Sequence, residues 1–179
     1  MIRKWRTLKD EIVSRGKIFR YRSVQRASTT QDMSGDFDVL DFLGWVNIVA
    51  ITPDHQVLHV RQYRQGVDEV TLEIPGGAID PGEEPLVAAK RELKEETGYE
   101  SSDWLKLGVV DPNPAFQSNH CHVYLAKQCH KVCEPSLDPL EELEVELIDK
   151  KQLPSLVSGG EVKHSLVLSA YFLARDYLF

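Results

Sequence analysis

The stretch from Gly76 to Tyr99, GGAIDPGEEPLVAAKRELKEETGY, constrains this chain more than any other, because it has to be a loop that feeds a helix. Asp80-Pro81-Gly82 carries turn chemistry, good helix formers run on from Glu83, and Gly98 stands where a helix end takes a residue of positive φ. The spacing predicts a helix of about four turns. Leu86, Ala89, Leu93 and Thr97 recur at helical intervals and make its core-facing stripe. Beside that stripe, Glu92, Glu95 and Glu96 spread over about 100° of circumference and form one anionic face.

Like charges at this spacing repel by a few tenths of a kcal/mol per pair, and carboxylates in a last turn also oppose the helix dipole. Two arrangements offset that cost. One is a solvated face in which Lys90, Arg91 and Lys94 supply the compensating charge. The other is a hard divalent cation such as Mg²⁺, which prefers carboxylate oxygens, keeps several waters and pairs with phosphates.

From Gly77 onward the residues read G-x5-E-x7-R-E-U-x-E-E-x-G-U, where U is a bulky apolar residue and Tyr99 is the one soft departure. This resembles the signature of Nudix hydrolases at every fixed position, in the loop-helix context that signature requires. The resemblance implies an α/β fold, the Nudix α/β/α sandwich. It also implies hydrolysis of a nucleoside diphosphate linked to another moiety. Carried over by matching positions, Glu92 and Glu96 would be the principal metal ligands, with Glu95 beside them and the Gly76 carbonyl as a backbone ligand. Mg²⁺ is the expected ion and Mn²⁺ its alternative. Glu83 and Arg91 match positions that hold loop and helix together.

The rest of the chain bounds this picture. Its 179 residues suit one catalytic domain with a small N-terminal appendage, and 42% hydrophobic with 27% charged residues is ordinary for a globular protein. A net charge of -7 without a basic patch argues against a nucleic-acid partner and leaves a small anionic substrate to be met by a local basic site or by metal. No apolar run is long enough to span a bilayer and the N-terminus lacks a signal-peptide core, so a cytoplasmic protein is the expectation. Cys121, Cys129 and Cys133 are an odd set in spacings of no familiar zinc finger, and HCHVYLA alternates like a strand, which would turn Cys121 away from His120 and His122.

Residues 1–44 alternate in short runs, Trp5 to Val13, Ile18 to Val24 and Phe37 to Phe42, and read as an N-terminal antiparallel three-stranded sheet. Such a sheet is either a dimerisation element or a lid packed on its own chain, and a homodimer is the expected assembly. Residues 45–179 would be the catalytic domain. Strands are expected at Trp45 to Ile51, Gln56 to Gln62, Val70 to Ile74, Trp104 to Asp111, His120 to Lys127 and Leu143 to Ile148. A short helix from Lys151 to Val157 and a last helix from about Val162 to Leu178 would put helices on both sides of a mixed sheet.

Arg61-Gln62-Tyr63-Arg64 ends a strand just before the glycine loop. Its two arginines are candidate phosphate ligands, and Glu73 is delivered beside them. Together with TLEIPGG, the N-terminal segment and Pro114, sixteen residues after Gly98, this run is similar to the ADP-ribose pyrophosphatases and nucleoside diphosphate sugar hydrolases within the family. In that group a glutamate in a loop before the last strand acts as general base, which points to Glu141 and then Glu142. Group architecture also makes Phe19 or Tyr21 a candidate for base recognition. The reading is thus a pyrophosphohydrolase acting on ADP-ribose or a nucleoside diphosphate sugar. The alternatives are an isopentenyl diphosphate isomerase, with Cys121 as the protonating thiol, and a nucleotide-sensing module without turnover.

Overall fold

The alternating N-terminal residues form three strands in the computed structural model, which describes residues 1–179. They are β1 (Arg6–Arg15), β2 (Phe19–Ala27) and β3 (Ser34–Phe42), antiparallel in that order. Each is longer than its apolar pattern indicates, because backbone pairing continues through the polar residues at the strand ends. Every residue of β1 is exposed, whereas Val24 in the central strand is fully buried. Residues 1–43 and 111–120 together make one compact unit. The second segment is tied in by Leu40, whose N–H donates to the Phe116 carbonyl at 2.8 Å and whose carbonyl accepts from Ser118 N–H at 3.1 Å. Sequence order alone does not reveal that residues 111–120 belong with this sheet.

The second unit, residues 44–110 and 121–179, holds β4 (Trp45–Ala50), β5 (Gln56–Arg64), β6 (Glu69–Glu73), α1 (Pro85–Thr97), β7 (Tyr99–Glu100), β8 (Asp103–Val110) and β9 (Cys121–Lys127). It continues through β10 (His130–Lys131), β11 (Leu143–Asp149), a 3-10 turn at Lys150–Gln152, α2 (Leu153–Ser158), α3 (Ser165–Leu173) and α4 (Arg175–Leu178). Where a single mixed sheet is expected there are two three-stranded sheets, β4-β9-β8 and the antiparallel β11-β5-β6, with β7 and β10 forming a small separate pair. In the first of them β4 runs parallel to β9 and β8 antiparallel to it.

Strand β4 shows why the sandwich forms. Successive side chains of a strand point to opposite faces, and a near-continuous apolar run therefore needs cover on both. Val46, Ile48 and Ala50, with Tyr124 and Ala126 of β9, pack with Ala88, Ala89 and Leu93 of α1. Val49 and Ile51, with Cys121, Val123 and Leu125, pack with Val167, Ala170 and Tyr171 of α3. Fully burying an aliphatic side chain contributes about 1.5–3 kcal/mol, so these two layers supply most of the driving force in this unit.

Both major helices differ from the pattern in where they begin or break. Helix α1 begins at Pro85, not Glu83. The residue before a proline is pushed out of the helical region, and Glu84 is accordingly extended at φ -74° and ψ 137°. The far end closes as expected, with Gly98 at φ 74° and its N–H on the Lys94 carbonyl. The segment expected as one last helix starts at Ser165, because Val162 N–H turns back to the Leu156 carbonyl around Gly160, which has φ 78°, and it is divided at Ala174 into α3 and α4.

One polar group sits in the α3-side core. His59 is fully buried, and its Nδ1 lies 2.9 Å from the Val57 carbonyl. A carbonyl only accepts, so Nδ1 carries the proton and Nε2 accepts from the Tyr171 hydroxyl. Burial pushes the ring down to about 4.

Candidate active site

The loop after β6 is held against β4 as though it were a further strand. Val46 N–H donates to the Gly77 carbonyl and Ile48 N–H to the Pro75 carbonyl, both at 2.9 Å. Glycine is required here for close approach: a Cβ on Gly76 would overlap the Val46 carbonyl, and one on Gly77 would overlap the Glu92 carboxylate. The loop is thereby set directly over the carboxylates of α1.

Arg91 ties the loop to the helix. Its Nε and one terminal nitrogen grip Glu83 at 3.0 and 2.9 Å, and that same terminal nitrogen also donates to the Ala78 carbonyl at 3.0 Å. The other terminal nitrogen reaches Glu92 at 2.8 Å and Glu95 at 3.0 Å. All five N–H donors of the guanidinium are thus matched to acceptors. Glu83 stays in the loop, and Asp80 N–H donates to it at 3.1 Å. The Arg91 ion pair holds its carboxyl below the usual range.

The three carboxylates of the anionic face do not share one environment. Glu95 is half exposed, Glu92 is mostly covered, and Glu96 is only 5% exposed. Glu96 accepts from Gly76 N–H at 2.8 Å. Burial pushes its carboxyl up to about 8; Glu92 and Glu141 add to this, against the opposing effects of Gly76 N–H and Arg64. Burial also raises Glu92, although Arg91 offsets part of the effect.

These groups line a cavity of about 450 Å³ together with Trp45, Gln62, Arg64, Ser136, Asp138 and Glu141. The donor set suits a hard cation: carboxylate oxygens converge on polar space, and the most buried of them is short of positive charge. No three acidic, histidine or cysteine side chains form a ready-made cage. That fits a hard divalent cation held through one or two carboxylates together with substrate phosphates and its own waters.

The candidate substrate ligands separate. Arg64 lines the cavity and forks onto Glu73 at 2.7 and 2.8 Å. Glu73 is buried, and burial alone would raise its carboxyl, but the Arg64 fork and the Thr71 hydroxyl outweigh this and hold it low. Arg61 does not join the cavity. It pairs instead with Glu146 and Glu161, because residues three apart in a strand face opposite sides. Gln62 takes the place beside Arg64, which the same alternation would have indicated. Of the two loop glutamates, Glu141 lines the cavity and Glu142 does not; Asp138 N–H donates to Glu141 at 3.2 Å.

Pro114 and Phe19 belong to the N-terminal unit. There Pro114 lines a cavity with Trp5, Arg22, Arg26 and Phe37, while Phe19 stacks on Phe42 with ring centres 5.7 Å apart, and Tyr21 donates to Asp38. Cys121 is fully buried among apolar side chains, where burial pushes its thiol up to about 12, and it does not line the carboxylate cavity, where isomerase chemistry would need it.

Comparison with known proteins extends this geometry. A family model described as NUDIX domain matches residues 44–166. An ADP-ribose pyrophosphatase of Bacillus subtilis (strain 168) is 32% identical over 126 residues, which cover 70% of this chain and 68% of that protein. The ADP compounds hydrolase NudE of Escherichia coli (strain K12) is 31% identical over 138 residues, 74% of this chain and 70% of the relative. Among solved structures, the crystal structure of an ADP compounds hydrolase superposes with a TM-score of 0.86 at 26% identity, covering 99% of this chain and 96% of that one. No helix is long and apolar enough to cross a membrane.

Proposed function

The chain belongs to the Nudix family, in its ADP-ribose pyrophosphatase group, and from that premise we propose that it uses a divalent cation to hydrolyse ADP-ribose or a nucleoside diphosphate sugar. The observation that carries the reading is the cavity in which Glu96, buried and pushed up to about 8, meets Glu92, Glu95, Glu141 and the glycine loop. The products are a nucleoside monophosphate and a sugar phosphate. Water bonds to one phosphorus as the bridging P–O bond breaks.

A bound cation supplies charge neutralisation at the diphosphate and a more acidic water. Glu92 and Glu96 would hold it, with Glu95 and the Gly76 carbonyl completing the protein side. Mg²⁺ is the favoured ion because the donors are all oxygens and few. Arg64 presents its guanidinium to the phosphates from the lining of the same cavity, kept in place by Glu73. Glu141 accepts the proton of the attacking water, since it is the loop glutamate that lines the cavity, on an exposed turn. Arg91 keeps loop and helix in register and touches no substrate.

The exposed strand β1, with Ile12 46% and Val13 57% exposed, supports a homodimer formed through the N-terminal sheet. Three unpaired thiols support a reducing, cytoplasmic setting. The decisive experiment incubates purified protein and Mg²⁺ with ADP-ribose, GDP-mannose, UDP-glucose, NADH or a dinucleoside polyphosphate and identifies products by mass. Preferred cleavage of ADP-ribose or a diphosphate sugar is expected, with Glu96→Gln inactive. Preference for NADH or the polyphosphate would overturn the substrate class.

A further inference from the structure

The carboxylate cavity has few hydrogen-bond donors for a diphosphate. Such a group brings only acceptor oxygens, and six of the side chains around it are themselves acidic: Asp80, Glu92, Glu95, Glu96, Asp138 and Glu141. Most of the donors present already serve the protein. Arg91 has no free N–H, Trp45 gives its indole N–H to Asn47 Oδ1 at 3.1 Å, and Gly76 N–H serves Glu96. Arg64 turns its Nε and one terminal nitrogen to Glu73, which leaves chiefly the other terminal nitrogen for a ligand.

Gln62 adds a donor on a rigid mount. It stands in the central strand of β11-β5-β6, where it pairs with Leu143 on one side and Thr71 on the other, and its backbone carbonyl also accepts from the Thr71 hydroxyl at 3.2 Å. Two positions from Arg64, it shares that residue's face of β5 and lines the same cavity. The side chain is buried, at 9% exposed, but its two ends differ. Oε1 is shut away from solvent, whereas Nε2 is not, and Nε2 donates to no protein atom. The accessible end of the carboxamide is therefore the donor end, as the surrounding carboxylates favour. Neutrality matters here as well. Another cationic side chain on this wall would pair with Glu92 or Glu96 and so compete with a bound metal ion, while an amide donates without doing so.

We propose that Gln62 holds the diphosphate together with Arg64, its Nε2 donating to a non-bridging phosphoryl oxygen. The inference rests on the nucleoside diphosphate reading above. Guanidinium and carboxamide then make one clamp on a single face of β5, and Arg61, on the other face, has no part in it. The clamp fixes the phosphates to the sheet by hydrogen bonds alone. The carboxylates of α1 hold the same phosphates only through a cation, so the two walls of the cavity contribute by separable chemistry.

The test titrates α,β-methylene-ADP in Mg²⁺ by calorimetry, a diphosphate whose P–C–P bridge is not hydrolysed, together with kcat and KM for ADP-ribose. Gln62→Met keeps the length of the side chain and removes the donor. Gln62→Glu keeps the shape but turns the donor into an acceptor, which regains a proton to donate as pH falls. Gln62→Met should bind the probe about tenfold to a hundredfold more weakly, the loss of one hydrogen bond to a charged group, and in turnover the change should appear in KM before kcat. Gln62→Glu should lose more at about pH 8, and its deficit against wild type should shrink towards about pH 6, because burial among carboxylates favours the protonated form. The stability that Mg²⁺ alone adds in urea unfolding should be the same in Gln62→Met as in wild type. Unchanged affinity in Gln62→Met, an equal and pH-independent loss in both variants, or a parallel loss of Mg²⁺ stabilisation would each overturn the assignment. If wild type hydrolyses no diphosphate derivative yet the titrations separate in this way, the hydrolytic reading falls and the clamp stands. If wild type hydrolyses ADP-ribose and Gln62→Met does so equally well, the clamp falls and the hydrolytic reading stands.

Discussion

Replacing Glu96 with Gln tests the electrostatics of the site through stability, independently of turnover. Without a cation, the folded protein holds this carboxyl at about 8, against an ordinary value of 4.5. The folded state therefore binds the proton more tightly than the unfolded chain, and stability is lost as pH rises from about 4.5 to about 8. At about 1.4 kcal/mol per pH unit the full effect is about 5 kcal/mol above pH 8, which side-chain relaxation and entering water reduce to about 3. Glutamine keeps the shape and can still accept from Gly76 N–H, but it cannot ionise. In urea unfolding with EDTA, the variant should equal wild type near about pH 5 and exceed it by about 3 kcal/mol near about pH 9. Saturating Mg²⁺ should then raise wild type far more than the variant, since the variant lacks the Glu96 charge and keeps only those of Glu92 and Glu95. His59 contributes a slope of the opposite sign below about pH 6.5, but it is common to both proteins and cancels in the difference. Parallel stability curves for the two proteins across this range in EDTA would refute the argument that Glu96 is a buried carboxyl awaiting a cation.

Three further outcomes are expected. Gly77→Ala displaces only the end of the Glu92 side chain, so it should cost about 1 kcal/mol or less in stability but about a hundredfold in kcat; Gly76→Ala strikes the Val46 backbone and should cost about 3 kcal/mol or more by urea unfolding. Because burial holds the His59 ring at about 4, the unfolded chain takes up a proton first as pH falls, and about 3 kcal/mol should be lost between about pH 6.5 and about pH 4, with a flatter acid limb in His59→Gln. Arg61→Ala breaks partly exposed pairs and should change stability by about 1 kcal/mol or less and turnover little, whereas Arg64→Ala leaves buried Glu73 unpaired and should cost about 3–5 kcal/mol together with activity.

What could be read in advance divides along physical lines. The loop-helix unit was legible because its determinants are local: Gly98 closes α1 as its conformational freedom requires, and the Glu83–Arg91 pairing follows from fixed spacing. The start of α1 was legible too, had Pro85 been given its weight over propensity. Arg61 pairs away from the cavity for a reason also present in the sequence, since strand alternation puts positions 61 and 64 on opposite faces. Other features were not legible. Nothing local shows that residues 111–120 join the N-terminal unit, that the strands divide into two sheets, or that His164 ends up beside Trp45 in one cavity. Those depend on chain segments far apart in sequence, where no periodicity connects the partners.

The five filled donors of Arg91 bear on how an enzyme of this kind can diverge. A guanidinium with no spare proton cannot trade one partner for another, so the glycine loop and α1 behave as a single casting. Changes there are all-or-none. The stretch from Ser136 to Glu141 is fastened much more lightly, through Ser136 N–H on the Glu95 carbonyl and the turn between Asp138 and Glu141. Sequence drift can accumulate in that stretch, shifting the Glu141 carboxylate while the carboxylates of α1 stay where they are. Two rates of change are thus built into one cavity, and new substrates can be explored from one wall without dismantling the other.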